Sequence, residues 1–347
     1  MEIKDAVIDF GSIPYERKLP ERALYPFGQL NYLTGGMELG EITVIAGETG
    51  SGKTTFVSQV VDNIIKEDKV FCVYGESTIQ KQQQNTYRQM AGYGKEKYEY
   101  VSYKKNGKDT NIGAYFVNEE IERQIRTKTS KKLFYYDTRY GMTIDKIMEV
   151  IKFCHENERG KINYFVLDNL MQIETTTADE IREQKDCFEK LRRYTTENNI
   201  HIIVLAHYRK SADIGVIRRN LSEIAGTSAI GNKSATALNI MRLDNVDKSG
   251  KAYKSLKAVV KLNNYDLDQA DAVIEVLKNR FNKLGFICLK YDRISNTYYE
   301  CSKLDEEKKE SEKSVVYETK QTSIDLMPMT ELSEKEQQEI DDIFGDI

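Results

Sequence analysis

The feature that most constrains this chain is a phosphate-binding loop of the form G-x-x-x-x-G-K-[ST] at residues 47–54. An apolar run at 42–46 precedes it, and a helical pattern at 55–65 follows it with apolar residues on one face. A strand, a glycine-rich loop and a helix in this order form an anion site, because the loop N–H groups and the helix N-terminus point at the same phosphates. A chance match in a glycine-rich turn is the alternative, and it would not require the flanking strand and helix. The sequence therefore predicts a nucleoside triphosphate site.

Most residues of the phosphate-binding loop have an expected ligand. Lys53 is expected to reach the outer phosphates, and the Thr54 hydroxyl is expected to ligate Mg²⁺. ATP and Mg²⁺ are the expected cofactors. The residues expected to bind the nucleotide are Gly47, Gly50, Ser51, Gly52, Lys53, Thr54 and Thr55.

Composition excludes several classes of protein. The chain is 40% hydrophobic and 31% charged, and its longest apolar runs are strand-sized, so we expect a globular protein with no membrane partner. The N-terminus does not have the basic and apolar regions of a signal peptide. The five cysteines include no C-x-x-C pair, which argues against a zinc site or a disulfide framework. These features indicate a cytoplasmic protein.

Charge divides the chain into two regions. Residues 304–347 contain 14 acidic and 5 basic residues, a net charge of −9, whereas the rest carries +5. A mildly basic body permits a nucleic-acid partner without requiring one.

Strand-like runs alternate with helical patterns, which predicts an α/β fold: a twisted, mostly parallel sheet with helices on both faces. We expect an N-terminal arm at 1–25, one domain at 26–303, and a charged linker with an acidic, disordered tail at 304–347. Residues 95–112 and 208–233 are predicted to be long loops. The predicted strands are 42–46, 69–74, 133–136, 163–168, 202–206, 237–243, 271–277 and 285–291. The predicted helices are one from about 27 to 35, then 55–65, 79–92, 144–157 and 180–198.

Polar residues follow three of the predicted strands. Asp168 is placed to organise Mg²⁺, although it can instead cap the next turn. Glu76 is placed to orient and deprotonate the attacking water, although strand-end glutamates are often only solvated. His207 can bond the γ-phosphate or make an ordinary structural hydrogen bond.

Two basic residues end a late strand. Lys278 and Arg280 project to the same side of that strand because side chains alternate. Such a pair can meet a phosphate as an arginine finger, within the chain or across a subunit boundary. The alternative is a pair of solvated side chains on an edge strand.

The order and spacing of these elements resemble the ring-shaped replicative DNA helicases of the DnaB and Twinkle type, which have a RecA-like motor domain. The similarity covers about residues 27–299. Asp168-Asn169-Leu170 and His207-Tyr208-Arg209-Lys210 are closer to the Twinkle-like branch. The segments that carry the resemblance are 47–54, 74–76, 167–170, 199–210, 226–230 and 278–281.

The resemblance implies an ATP-dependent 5′-to-3′ helicase that forms a hexameric ring on single-stranded DNA and works at the replisome. Glu76 would be the catalytic base, Asp168 the Mg²⁺-linked acid and His207 the γ-phosphate sensor. Lys278 and Arg280 would complete the neighbour's ATP site. The DNA-binding residues would be Arg209, Lys210, Arg218 and Arg219; a solvated basic loop is the alternative.

This sequence also departs from the family. A primase-type or helical N-terminal domain is usual, whereas about 25 residues precede the motor here, so priming by this chain is not expected. Arg242 lies near an arginine that some relatives have but out of register, and residues 246–270 have no counterpart that we can identify. The end of the acidic tail has apolar residues at helical spacing, so it is either a docking element for a replication partner or a solubilising tail.

Two other functions remain open at this stage. A RecA/RadA-type recombination or repair ATPase uses the same core to build a filament. A regulatory NTPase would use ATP to control assembly without unwinding. The Lys278-Asn279-Arg280 element and the turn after His207 favour the helicase over both.

Overall fold

The computed structural model describes residues 20–157, 161–174, 180–209, 218–224, 228–244, 246–280 and 283–304. Most of the N-terminal arm, Lys210 and the acidic tail after Leu304 lie outside these residues, so the predictions made for them stay predictions.

One nine-stranded sheet organises the domain, in the order β13-β12-β11-β10-β3-β9-β8-β4-β7. The six strands from β10 to β7 are parallel, and β11, β12 and β13 extend the sheet as an antiparallel meander. The strands are β1 (Arg22–Ala23), β2 (Met37–Glu38), β3 (Ile42–Ala46), β4 (Val70–Tyr74), β5 (Tyr98–Lys105), β6 (Lys108–Val117), β7 (Leu133–Tyr135), β8 (Tyr164–Asp168), β9 (His201–Ala206), β10 (Thr236–Arg242), β11 (Ala272–Asn279), β12 (Gly285–Asp292) and β13 (Thr297–Glu300). The α-helices are α1 (Gly28–Thr34), α2 (Lys53–Ile64), α3 (Ile79–Ala91), α4 (Glu119–Thr129), α5 (Ile144–Glu156), α6 (Glu180–Asn198), α7 (Ser228–Lys233) and α8 (Lys251–Leu262).

Helices cover both faces of the central strands. On β3, alternate residues point to opposite faces, so Ile45 packs into one hydrophobic core and Val44 into the other. Helix α2 contributes Phe56 to the first core, whereas α5 and α6 contribute Ile151 and Leu191 to the second. Burial on both faces explains why these strands read as continuous apolar runs. The predicted α/β fold is confirmed.

The predicted strands and helices are confirmed with ends that shift by one or two residues. The prediction of a long loop at 95–112 is wrong, because β5 and β6 form a separate two-stranded hairpin there. Asn106 and Gly107 make the tight turn with φ of 54° and 76°. The base of the hairpin has its own small core, in which Tyr98 packs with Ala91 and Ile125.

The segment 246–270, which has no identified counterpart in the family, contains α8. Its buried face includes Tyr253, Leu256 and Val260, which join the core under β11 and β12. Within the described ranges, no helix is long and apolar enough to cross a bilayer.

Candidate functional site

The phosphate-binding loop lies between the end of β3 and the start of α2, at the carboxyl edge of the parallel strands. Glycine is required at both ends of the loop. A Cβ on Gly47 would lie 2.8 Å from the carbonyl oxygen of Ile240, and Gly52 has a φ of +88°. The Ser51 hydroxyl is buried and has no hydrogen-bond partner among the described residues. An unsatisfied donor in a glycine-lined cradle suits a phosphate oxygen.

The Lys53 side chain folds over this loop. Its Nζ donates to the carbonyl oxygens of Gly47 at 2.8 Å and Glu48 at 3.0 Å, and the residue is 5% exposed. Burial lowers the pKa of Lys53 to about 8, against the opposing effects of Asp168, Glu76 and Glu48. An ammonium held in the loop with so little water can interact strongly with an incoming phosphate.

Asp168 meets the first turn of α2. The Thr54 hydroxyl donates to its Oδ2 at 2.6 Å, and Asp168 is 4% exposed. Burial raises the pKa of Asp168 to about 6; the bond from Thr54 and the charge of Lys53 lower it, whereas the charge of Glu76 raises it. The structure thus brings together the two residues that the sequence predicts as metal ligands.

His207 connects Lys53 to Glu76. Its Nδ1 lies 3.2 Å from Lys53 Nζ, and its Nε2 lies 3.2 Å from Glu76 Oε1. Because an ammonium can only donate, Nδ1 accepts from Lys53 and Nε2 carries the hydrogen that Glu76 accepts. Asn169, which the sequence analysis gave no role, donates to the same Oε1 at 2.5 Å and is itself buried.

The basic residues after β9 have different surroundings. Arg209 is exposed. Arg218 donates to Glu275 Oε1 at 2.7 Å, and its guanidinium lies 5.3 Å from the centroid of the Phe286 ring. Arg219 is buried against the phosphate-binding loop, where it pairs with Glu48. The assignment of these residues to DNA binding stays a prediction.

Lys278 and Arg280 lie away from the phosphate-binding loop of their own chain. Asn279 between them pairs with Thr236, which pairs with Thr43 near the start of β3. The Arg280 N–H bonds the carbonyl of Ala235, which places it at the amino edge of the parallel strands, about 13 Å along the strand direction from the loop. The side chains reach carbonyl oxygens at the end of α7, with Lys278 Nζ 3.2 Å from Gly231 and Arg280 Nη2 3.3 Å from Lys233.

Two further side chains, Tyr298 and Arg242, lie beside the loop, and neither has a predicted role. A Cβ on Gly52 would lie 2.2 Å from the Tyr298 hydroxyl and 3.5 Å from Arg242 Cδ. Arg242 also lies over the Tyr291 ring, 4.7 Å from its centroid. A cavity of about 1010 Å³ opens beside the loop and is lined by Glu48, Gly50, Arg219 and Arg242, among others. This volume is in the range of small-molecule binding sites.

Within the described ranges, no cluster of three or more His, Cys, Asp or Glu side chains could hold a metal ion. A metal at Thr54 and Asp168 would therefore share its coordination with phosphate oxygens and water, which is how Mg²⁺ is usually bound with nucleotides. The residues present fit a nucleoside triphosphate with Mg²⁺.

This chain is similar to known proteins in both sequence and fold. The model of the family described as DnaB-like helicase C terminal domain matches residues 25–300. A "Probable replicative DNA helicase" from Trieres chinensis is 23% identical over 275 residues, which are 77% of this chain and 54% of the relative. The match therefore spans about half the length of that curated relative.

Two solved structures share the fold. The "ATPase Domain of G40P" superimposes with a TM-score of 0.61 at 15% identity, over 80% of this chain and 90% of that one. A structure titled as a DnaB-like replicative helicase and its interactions with primase gives 0.60 at 16% identity, over 80% and 61% of the two chains. The fold is thus that of the RecA-like ATPase domains, as the resemblance implied. Because the family model covers most of the sequence, the chain belongs to the DnaB-like helicase C-terminal domain family.

Proposed function

We propose that this protein is an ATP-driven replicative DNA helicase that moves 5′ to 3′ on single-stranded DNA as a ring. The observation that carries the proposal is the line of contacts from Lys53 through His207 to Glu76. It joins the residue expected on the outer phosphates to the residue expected on the attacking water. Membership in a helicase family supports DNA as the substrate of the motor.

The surroundings of Glu76 suit a catalytic base. Asn169 and His207 both donate to Oε1, so Oε2 can accept a proton from water. Because His207 contacts Lys53 as well, loss of the terminal phosphate would change the partners of both and move the end of β9. His207 therefore acts as the sensor of the phosphate.

Lys53 and the loop N–H groups would hold the phosphates, and Thr54 and Asp168 would hold Mg²⁺. When bound, Mg²⁺ neutralises negative charge on the phosphates. The burial of Lys53 and Asp168 excludes water from this centre, so that their charges act at short range.

The rest of the proposal concerns the assembly. Arg280 and Lys278 lie at the opposite edge of the sheet from their own loop, which supports a role at the ATP site of the next subunit in a hexamer. We propose that the basic segment, residues 209–219, holds the DNA strand by its phosphates. Arg209 at its start is exposed, and residues 210–217 lie outside the described ranges. We place the protein at the replisome in the cytoplasm, with its acidic tail, outside the described residues, as a docking element for a replication partner.

The test is ATP hydrolysis by the purified protein with and without oligothymidine, for wild type, Lys53→Ala and Glu76→Gln. Lys66→Ala removes a lysine from an exposed site just after α2 and serves as the control. We expect DNA to stimulate wild type and Lys66→Ala alike. Glu76→Gln should lose turnover by about 10²- to 10⁴-fold while it still binds nucleotide, whereas Lys53→Ala should lose both.

Unwinding of forked duplexes tests direction. A fork with a 5′ single-stranded tail should be opened, and one with a 3′ tail should not. Turnover that ignores DNA, together with intact forks, would favour a regulatory NTPase. Filaments on DNA with strand exchange would favour a recombination ATPase.

A further inference from the structure

Arg219 is the most completely buried arginine beside the phosphate-binding loop, with an 8% exposed side chain. Its Nη2 lies 2.7 Å from Glu48 Oε1, and its Nε donates to the same oxygen at 2.9 Å. Its Nη1 lies 3.1 Å from Glu223 Oε1. One guanidinium therefore joins two carboxylates that belong to different parts of the chain.

The first carboxylate belongs to the phosphate-binding loop. The backbone carbonyl of Glu48 accepts hydrogen bonds from Lys53 Nζ and from the Ser51 N–H, both at 3.0 Å. A shift of Glu48 therefore moves an oxygen that holds Lys53. The Glu48 side chain is 51% exposed and faces the cavity beside the loop.

The second carboxylate fixes the base of the basic segment. Glu223 accepts the Asn220 N–H at 2.6 Å, and its backbone carbonyl accepts the Arg209 N–H at 2.8 Å. Tyr208 also forms a β-bridge with Ile224. Arg209 and Arg219, the two described ends of the segment proposed to hold DNA, are thus held at one point beside the end of β9.

A carboxylate inside a phosphate-binding loop repels the ligand of that loop unless a cation neutralises it. Arg219 supplies that cation, but a bound triphosphate is a second anion within the same cavity and competes for the guanidinium. Because Glu223 keeps Arg219 paired, the bond to Glu48 can weaken without leaving a buried charge alone. The contact can therefore change with nucleotide occupancy at low cost.

We propose that the Arg219–Glu48 ion pair is the contact that couples nucleotide occupancy of the phosphate-binding loop to Arg209, the exposed basic residue that follows β9. Arg219 acts as a positioning residue, since it links the two sites and its charge is taken up by Glu48 and Glu223. This inference rests on the proposed function, because it needs DNA as the ligand of Arg209. Coupling between two binding sites is reciprocal, so it can be measured from either side.

The test measures the affinity of the full chain for a fluorescent ATP analogue with and without oligothymidine, and for labelled oligothymidine with and without nucleotide. The ratio within each pair gives the coupling factor, which cancels any change in the basal affinity of a variant. For wild type we expect about 5- to 150-fold. Glu48→Gln should bring both ratios to within about twofold of unity, and Glu48→Asp should retain part of the coupling.

Arg219→Lys is a second variant, which keeps the charge but not the two-pronged contact, and it should also lose most of the coupling. The control is Glu38→Gln, which breaks the remote Arg22–Glu38 pair at 3.1 Å and leaves Arg22 bonded to the carbonyls of Pro20 and Gly35. Wild-type coupling in folded Glu48→Gln and Arg219→Lys proteins would overturn the inference alone. Absence of coupling in wild type would instead overturn the proposed function.

Discussion

At the scale of single residues, the site combines two buried charged groups, Lys53 and Asp168, with an exposed carboxylate, Glu76. Lys53, His207 and Glu76 come from the carboxyl ends of three different strands, and parallel strands bring those ends to one edge. Burial disfavours the charged form of Lys53 and lowers its pKa to about 8. A charge that is poorly solvated before the ligand arrives loses little hydration when the ligand binds.

His201 shows the same effect away from the site and gives a prediction for acid stability. It lies at the start of β9, where Nδ1 donates to the Glu38 carbonyl at 2.6 Å and Nε2 accepts from the Thr43 hydroxyl at 3.2 Å. Burial lowers its pKa from 6.5 to about 4. In the unfolded chain this histidine takes up a proton near pH 6.5, whereas in the folded chain it stays neutral until about pH 4. The free energy of unfolding therefore falls as the pH drops from 6.5 towards 4.

At pH 5 this histidine should cost about 2 kcal/mol of the free energy of unfolding relative to pH 8. His201→Gln, which has no titrating group, should flatten the pH dependence in that window. Urea unfolding at several pH values measures it. Curves of equal steepness for the variant and wild type would contradict the prediction.

Gly52 gives a second prediction at this scale. Gly52→Ala should abolish nucleotide binding, because a Cβ would lie 2.2 Å from the Tyr298 hydroxyl and because the φ of +88° strains any L side chain by about 1–2 kcal/mol. Tyr298→Phe alone should change the melting temperature little, since this buried hydroxyl has no partner among the described residues. The double variant should recover binding only in part, as titration with a fluorescent ATP analogue would show. Full recovery would mean that the φ imposes no strain.

The sequence predicts a site residue well when the pattern that identifies it is local, and poorly when its contacts lie far away along the chain. Lys53 and Thr54 are in a local motif, whereas Asp168 ends one strand and Glu76 follows another, and continuous apolar runs identify both strands. The resemblance predicts Arg219 on DNA, and the structure shows in addition a contact with Glu48, 171 positions away in the sequence. An ion pair between two loops has no periodicity, so the sequence could not reveal it.

At the scale of elements, the β5–β6 hairpin stands apart from the main sheet. Its base is packed: the Tyr98 hydroxyl lies 2.8 Å from the carbonyl oxygen of Arg88 and 2.6 Å from that of Gly92, and its one hydrogen is shared between them. Its outer half exposes apolar side chains, with Tyr103 at 59% and Ile112 at 70%. Stability is therefore concentrated at the base, and the outer half contributes little to it.

This distribution predicts the effect of shortening the hairpin. Replacing residues 102–113 by Asn-Gly, which joins the paired Val101 and Ala114 through a tight turn, should change the free energy of unfolding by less than about 1 kcal/mol. Tyr98→Ala is the matched change at the base and should cost about 3 kcal/mol or more. Thermal unfolding monitored by circular dichroism compares them. A large loss on shortening would show that the outer half carries stability.

The hairpin is absent from the predicted elements although its turn has a sequence signal. Asn106-Gly107 between strand-forming residues is a strong short-range hairpin pattern, whereas the abundance of Lys, Tyr and Gly around it favours a loop. The antiparallel direction of β11–β13 is a different case, since residue patterns identify strands but not their partners. Strand pairing follows from packing between distant segments.

At the scale of the whole molecule, the placement of Arg280 predicts complementation between inactive variants. Lys53→Ala destroys the phosphate-binding side of a site and leaves Arg280 intact, and Arg280→Ala does the reverse. If the subunits mix at random in equal amounts, about one quarter of the shared sites would combine two intact halves. The mixture should recover ATP turnover that neither variant has alone.

The measurement is ATP hydrolysis after the two variants are unfolded and refolded together, with separately refolded samples as the control. Mixing that recovers nothing, while Arg280→Ala alone remains as active as wild type, would show that Arg280 has no role across subunits.

The separation of the phosphate-binding loop from Arg280 by the height of the sheet also determines how sites are counted. If Arg280 acts at the ATP site of the neighbouring subunit, a single copy carries one phosphate-binding loop and one Arg280 but no complete ATP site. An open row of n copies contains n − 1 working sites and leaves one unmatched half at each end, whereas closing the row adds the last site without adding protein. Turnover per subunit would then rise with concentration and reach its full value when the row closes, so the rate itself would report closure.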